Sequence, residues 1–268
     1  MREVRLPFWE ELTSAEVDAL ARENPVAVLP LAAVEQHGPH LPLSTDIEIG
    51  RGILEAAFTR LPDGFPVRVL PIQSIGASAE HLSYPGTLSL GPEHLIRTIC
   101  RIGGAVRRAG VCRLVIFNSH GGNRAAMEIA GLRLRRQCGL LVVRMSYSDV
   151  ALPDAAGIDP DELRHGLHGG LLETSMMVHL RPELVRTPPT GRGPSLGEDL
   201  ERAGSPITPA GPAAFSWLAE DLDPAGVTGE AGGALAETGR VLVDHYGAAL
   251  AGVIEAARAF PLERLGKG

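Results

Sequence analysis

Leu114-Val115-Ile116-Phe117-Asn118-Ser119-His120-Gly121-Gly122-Asn123 is the stretch on which the fold turns. Four apolar residues in a row, with no alternation of polar side chains, describe a strand buried on both faces, as in a parallel sheet covered by helices. The polar, glycine-rich turn that follows leads into a helical pattern over 124–137, which Gly139 stops before the next apolar run, Leu140-Leu141-Val142-Val143. Working back towards the amino terminus, the same order recurs. A helix over 92–109 opens on Pro92 and ends at Gly110, and it follows a strand at Val67-Arg68-Val69-Leu70. A helix over 46–60 follows a strand at Val26-Ala27-Val28-Leu29, and the Thr13-Ser14-Ala15-Glu16 capping box predicts a short helix before it. This β-α-β-α order predicts an α/β fold, a three-layer αβα sandwich with a mostly parallel central sheet. Towards the carboxyl terminus a helix is expected over 171–180, a long surface excursion over 187–212 and an Ala-rich helix over 234–260. No repeat or composition break divides the 268 residues, so one domain spanning 1–268 is expected.

Composition narrows the function. Hydrophobic residues make up 44% and aromatics 4%, so a sizeable aliphatic core is available. The 25 Lys+Arg against 32 Asp+Glu give a net charge of −7 with no dense basic run, which argues against nucleic acid as a partner. No apolar stretch approaches the roughly 18 residues of a membrane span, and the residues around Met1 carry no apolar signal region. A cytoplasmic protein is expected. Cys100, Cys112 and Cys138 are odd in number and scattered; they read as small buried residues in a reducing compartment.

In open parallel sheets ligands sit beyond the carboxyl ends of the strands. Three polar groups occupy such places: Glu35-Gln36-His37-Gly38-Pro39-His40 with Asp46, then His120-Gly121-Gly122-Asn123, then His165-Gly166-Leu167-His168-Gly169-Gly170 with Glu173. Imidazole and carboxylate without thiolate is a ligand mixture suited to Zn²⁺, Mn²⁺ or Fe²⁺. Each residue also has a plain local explanation: Asp46 as a helix N-cap, Glu35 and His37 as a solvated turn, His120 as a loop histidine, Glu173 as a complement to a helix dipole. Their coincidence at the strand exits or helix starts of one sheet favours a shared site. A serine hydrolase is the competing enzyme reading, because Gly193-Pro194-Ser195-Leu196-Gly197 satisfies G-x-S-x-G and Asp221, Asp223 and His245 follow. No apolar strand precedes Ser195, as a nucleophile elbow requires. A non-catalytic α/β binding protein is the remaining alternative.

These segments, together with Tyr84-Pro85-Gly86-Thr87 and Glu173-Thr174-Ser175, resemble the creatininase (creatinine amidohydrolase) family, over most of the chain. The resemblance implies an αβα fold, a homohexamer, and two divalent metal ions per chain that activate water to open an amide bond of a small cyclic or linear substrate. Glu35, His37, Asp46 and His120 match ligand positions, Asp46 that of the carboxylate bridging both metals. His168 matches the position of the group that passes a proton to the leaving nitrogen. The family glutamate two residues after the metal-binding histidine is Gly122 here, and Glu173 is expected to replace it as ligand and to take part in catalysis. Ser78, His81, Gly121 and Ser148 are the expected substrate-binding positions; the last two stand where creatinine-cleaving enzymes carry aromatic walls. The chain therefore resembles the His-Gly-Gly-Asn members, which include formamidopyrimidine-type deformylases and the peptide-processing enzymes of mycofactocin maturation.

Overall fold

The computed structural model describes residues 5–187 and 194–266. Four strands, β1 (Val26–Leu31), β2 (Val67–Val69), β3 (Arg113–Asn118) and β4 (Leu141–Ser146), form a sheet in the order β2-β1-β3-β4. Every pairing is parallel, with Val28 opposite Val69 and Val115, and Phe117 opposite Met145. Between the strands run α2 (Thr45–Phe58), α3 (Pro92–Arg108) and α4 (Arg124–Cys138), with α1 (Ser14–Ala21) ahead of them. After the sheet come α5 (Pro160–His165), α6 (Leu171–Leu180), α7 (Leu196–Arg202), α8 (Ala219–Leu222) and α9 (Ala236–Ala259).

The period of two along each strand divides the core. Val26, Val28, Val115 and Phe117 point to one face, where Ile49 and Ile53 of α2, Met176 of α6 and Leu242, Tyr246 and Leu250 of α9 are buried against them. Ala27, Leu29, Leu31, Leu114 and Ile116 point to the other face and meet Leu95 and Ile99 of α3 and Leu134 of α4. The expected αβα layering is therefore observed. Each fully buried aliphatic side chain contributes about 1.5–3 kcal/mol relative to exposure.

The strand order sets the position of the site. From β1 the chain crosses by α2 to β2 on one side, whereas β3 lies on the other side of β1 and leads by α4 to β4. A crevice opens where neighbouring strands send their chains to opposite faces, and here that is beyond the carboxyl ends of β1 and β3. Residue 35 follows β1 and residue 120 follows β3, so the two polar turns are adjacent in space.

Several expectations change in detail. Ser44, not Asp46, stands at the N-cap of α2, and Asp46 lies in its first turn. The described part of 187–212 is more than a surface excursion: Ser195 and Glu198 form a capping box that starts α7, and Pro209 and Ala210 line a cleft. The free cysteines are half-buried rather than buried. Residues 188–193, including Gly193 of the G-x-S-x-G pattern, and residues 1–4 lie outside the described residues. Among the described residues no helix is long and apolar enough to cross a membrane.

Candidate metal centre

Glu35, His37, Asp46 and His120 are all buried and meet beyond the ends of β1 and β3. Asp46 stands between the two histidines: its Oδ1 is 3.5 Å from His37 Nε2 and its Oδ2 is 3.5 Å from His120 Nδ1. Glu35 Oε1 lies 3.1 Å from His120 Nδ1, and Glu173 Oε2 lies 3.8 Å from His37 Nε2. Three overlapping groups are spaced to hold a cation: Glu35 with Asp46 and His120, His37 with Asp46 and Glu173, and Glu35 with His37 and His168.

The backbone decides which ring nitrogen faces inward. His37 Nδ1 donates to the Glu35 carbonyl at 3.2 Å, and His120 Nε2 donates to the Ala77 carbonyl at 2.9 Å. His168 Nε2 donates to the Gln36 carbonyl at 2.6 Å. A carbonyl can only accept, so each ring spends one N–H on the backbone, and its other nitrogen, turned towards the carboxylates, offers a lone pair to a cation or carries a second proton in its place. Glu35 Oε1 and Oε2, His37 Nε2 and Asp46 Oδ2 are buried without a hydrogen-bond partner. Buried polar atoms without partners are costly, and a cation is a partner that satisfies them together. The donor set fits divalent metal.

The protonation pattern has the same cause. Burial works against charge on His37 and His120, yet Asp46 beside the first and Glu35 beside the second raise them to about 9 and about 10. Asp46 is lifted by burial, with Glu35 adding to it, to about 6 in spite of its two histidines. Burial would also raise Glu35, but His120, His168 and His37 hold it well below the ordinary carboxylate range. His168, by contrast, is lowered by burial and by His37 to about 4.

Glu173 lies in the first turn of α6. Its Oε2 accepts from Gly169 N at 2.7 Å and its Oε1 from the Tyr147 hydroxyl at 3.3 Å, so the carboxylate is held towards His37. Gly121 and Ser148 line the cleft beside the centre, as do His81, His168 and Glu173. An added Cβ at Gly121 would meet open space, while Ser148 Oγ accepts from Arg124 at 2.9 Å. Ser78 is fully buried and stands behind His120, its Oγ 3.3 Å from Nε2, the nitrogen turned away from Glu35 and Asp46. The cleft measures about 960 Å³ and is walled by Leu152, Leu163, Leu167, Leu172 and Trp217.

The serine hydrolase geometry is not assembled. Ser195 Oγ accepts from Glu198 N as the cap of α7, Asp221 accepts from Leu218 N, Asp223 from Ala225 N, and His245 Nε2 donates to the Ala151 carbonyl. Sequence reasoning passed over Glu80, Gln36 and Tyr147. Tyr147 directly follows β4 and was open to the strand-exit argument; Glu80 and Gln36 acquire meaning only through residues distant in sequence.

Fold and site define an α/β protein with a buried carboxylate–imidazole centre at the carboxyl edge of a parallel sheet. The profile of the family described as "Creatininase: Creatinine amidohydrolase" matches residues 10–254. A Mycobacterium tuberculosis (strain ATCC 25618 / H37Rv) "Mycofactocin precursor peptide peptidase" is 36% identical over 192 residues, 68% of this chain and 69% of that protein. The "Creatinine amidohydrolase" of Pseudomonas putida is 33% identical over 195 residues, 66% of this chain and 73% of that protein. Among solved structures, "Creatininase Mn" superposes with a TM-score of 0.74 at 25% identity, covering 98% of this chain and 100% of that one. The chain belongs to the creatininase family and is a hydrolase of that family.

Proposed function

We propose that this chain hydrolyses a C–N amide bond with two divalent cations, zinc, manganese or iron, and that its substrate is a peptide-type amide larger than creatinine. Glu35, Asp46 and His120 would hold one cation, and His37, Asp46 and Glu173 the other. The observation that carries the reading is the set of buried polar atoms without hydrogen-bond partners on Glu35, His37 and Asp46, gathered around Asp46. Bound there, the cations supply Lewis acidity for the amide carbonyl and for water.

His168 accepts or returns a proton at Nδ1, because its Nε2 is committed to the Gln36 carbonyl. It is neutral near neutral pH, as an acceptor must be. Open space at Gly121 and a cleft of about 960 Å³ with Trp217 and leucines in its wall support a substrate with apolar side chains. A small flat ring would leave most of that wall unfilled.

Protein reconstituted in turn with excess Zn²⁺, Mn²⁺ and Fe²⁺ tests this by elemental analysis alongside hydrolysis of cyclic amides, formamides and short peptides. Close to two ions per chain and chelator-sensitive cleavage of a peptide-type amide are expected, with weak creatinine turnover. Fewer than one ion per chain with every metal sinks the centre, and efficient creatinine hydrolysis sinks the substrate reading.

A further inference from the structure

His81 is a histidine at the centre whose inward nitrogen carries the proton of the neutral ring, and a chain of hydrogen bonds fixes this. Gly38 N donates to Gln36 Oε1 at 2.9 Å. A backbone N–H has no acceptor capacity, so that atom is the amide oxygen and the other end of the side chain is the NH₂ group. The NH₂ group donates to the Gly226 carbonyl at 3.0 Å and lies 2.9 Å from His81 Nδ1. Since an amide nitrogen donates only, His81 Nδ1 accepts, and the ring proton resides on Nε2. That nitrogen is 3.5 Å from Glu35 Oε1. The ring is buried and stacked on His168 with centroids 4.2 Å apart.

We infer that His81 is not a metal ligand but a positioning residue, whose Nε2–H faces the Glu35 carboxylate at 3.5 Å without closing a hydrogen bond and orients it by charge–dipole attraction, and that Gln36 sets its tautomer. Gln36 thereby gives two stacked histidines opposite roles: its carbonyl takes the His168 Nε2 proton and leaves Nδ1 bare, while its side chain leaves His81 with a proton to donate. The close seat of Gly226 belongs to the same device, because a Cβ there would lie 2.5 Å from Gln36 Oε1. The role rests on the reading of Glu35 as a ligand; the tautomer does not.

Nitrogen NMR of protein labelled with ¹⁵N-histidine, metal-free and zinc-loaded, tests the tautomer. The resonances lost in His81→Gln should belong to a neutral ring protonated on Nε2 in both states; an Nδ1-protonated or zinc-ligated ring would overturn the proposal. Zinc affinity, measured against a competing chelator, tests the role. His81→Leu should weaken zinc by about 10–100-fold, the usual loss when a ligand's orienting partner is removed, and His81→Gln should restore most of it through its own amide N–H. Equal weakening by Leu and Gln, or none by either, overturns the role. Gln36→Glu gives a second reading with His81 intact. A carboxylate accepts at both oxygens and draws the ring proton to Nδ1, so zinc binding should weaken and the tautomer should switch; retention of both overturns the assignment. Absence of zinc binding by the wild type would overturn the metal reading and the His81 role with it, while the metal-free spectrum still decides the tautomer.

Discussion

The Glu80 carboxylate stands where a side chain at Gly122 would begin: a Cβ added to Gly122 would lie 2.5 Å from Glu80 Oε1, and 2.2 Å from the Ala77 carbonyl. Backbone cannot yield as a flexible side chain can, so no ligand can be supplied from position 122 without moving the 77–80 segment. Gly122→Ala should destabilise by about 1–3 kcal/mol, the usual cost of overpacking, and Gly122→Glu by more. Thermal unfolding checks this. An unchanged midpoint for Gly122→Ala would show that the segment shifts freely.

Asp46 presents one oxygen to each histidine, so its loss should affect both cation positions together. Asp46→Ala reconstituted with zinc is expected to lose both ions, as read by elemental analysis. Retention of one ion at full occupancy would mean that the two positions share no ligand.

His168 and Glu173 should fail differently. With its metal content nearly intact, His168→Ala should lose about 10²–10⁴-fold in kcat, the range for a general acid–base group. Glu173→Gln should lose one ion preferentially, since an amide is a poorer ligand than a carboxylate. The opposite pattern would make His168 the ligand through its Nδ1, which already lies 3.8 Å from Glu35 Oε1.

Without metal, His37 and His120 are raised from 6.5 to about 9 and about 10 by the carboxylates they face. The folded state then binds more protons than the unfolded one, so this stabilisation is complete below about pH 6.5 and is lost as pH rises through 9–10. Thermal midpoints of chelator-treated protein should fall by several degrees from pH 7 to pH 10. Zinc-loaded protein should fall less, because a cation takes the place of the protons. Parallel curves for the two forms would contradict this.

Ser195→Ala removes a helix cap and nothing chemical, so it should cost about 1 kcal/mol and leave amide hydrolysis unchanged. Labelling of Ser195 by a fluorophosphonate with matching loss of activity would reverse that conclusion.

The sequence by itself determined the layering and the identity of the strand-exit residues, because both are local. Unbroken apolar runs such as Leu114 to Phe117 demand cover on both faces, and the turn after each run carries the side chains that reach the sheet edge. Glu35, His37, Asp46 and His120 were legible on that ground. Only the tertiary structure decided the rest. The order β2-β1-β3-β4 brings β1 and β3 together, and so sets Glu35 against His120. Which nitrogen each histidine turns inward depends on carbonyls and amides met across the fold, as with Gln36 and Gly226, 190 residues apart. Glu80 and Gly122 compete for one volume that no spacing encodes. Ser195 belongs to a catalytic pattern over 193–197 and to a capping box over 195–198, and the lack of an apolar run before it in the sequence left the cap. Short-range rules fix elements and their ends, whereas hydrogen-bond direction and excluded volume are settled between segments that meet only when the chain has folded.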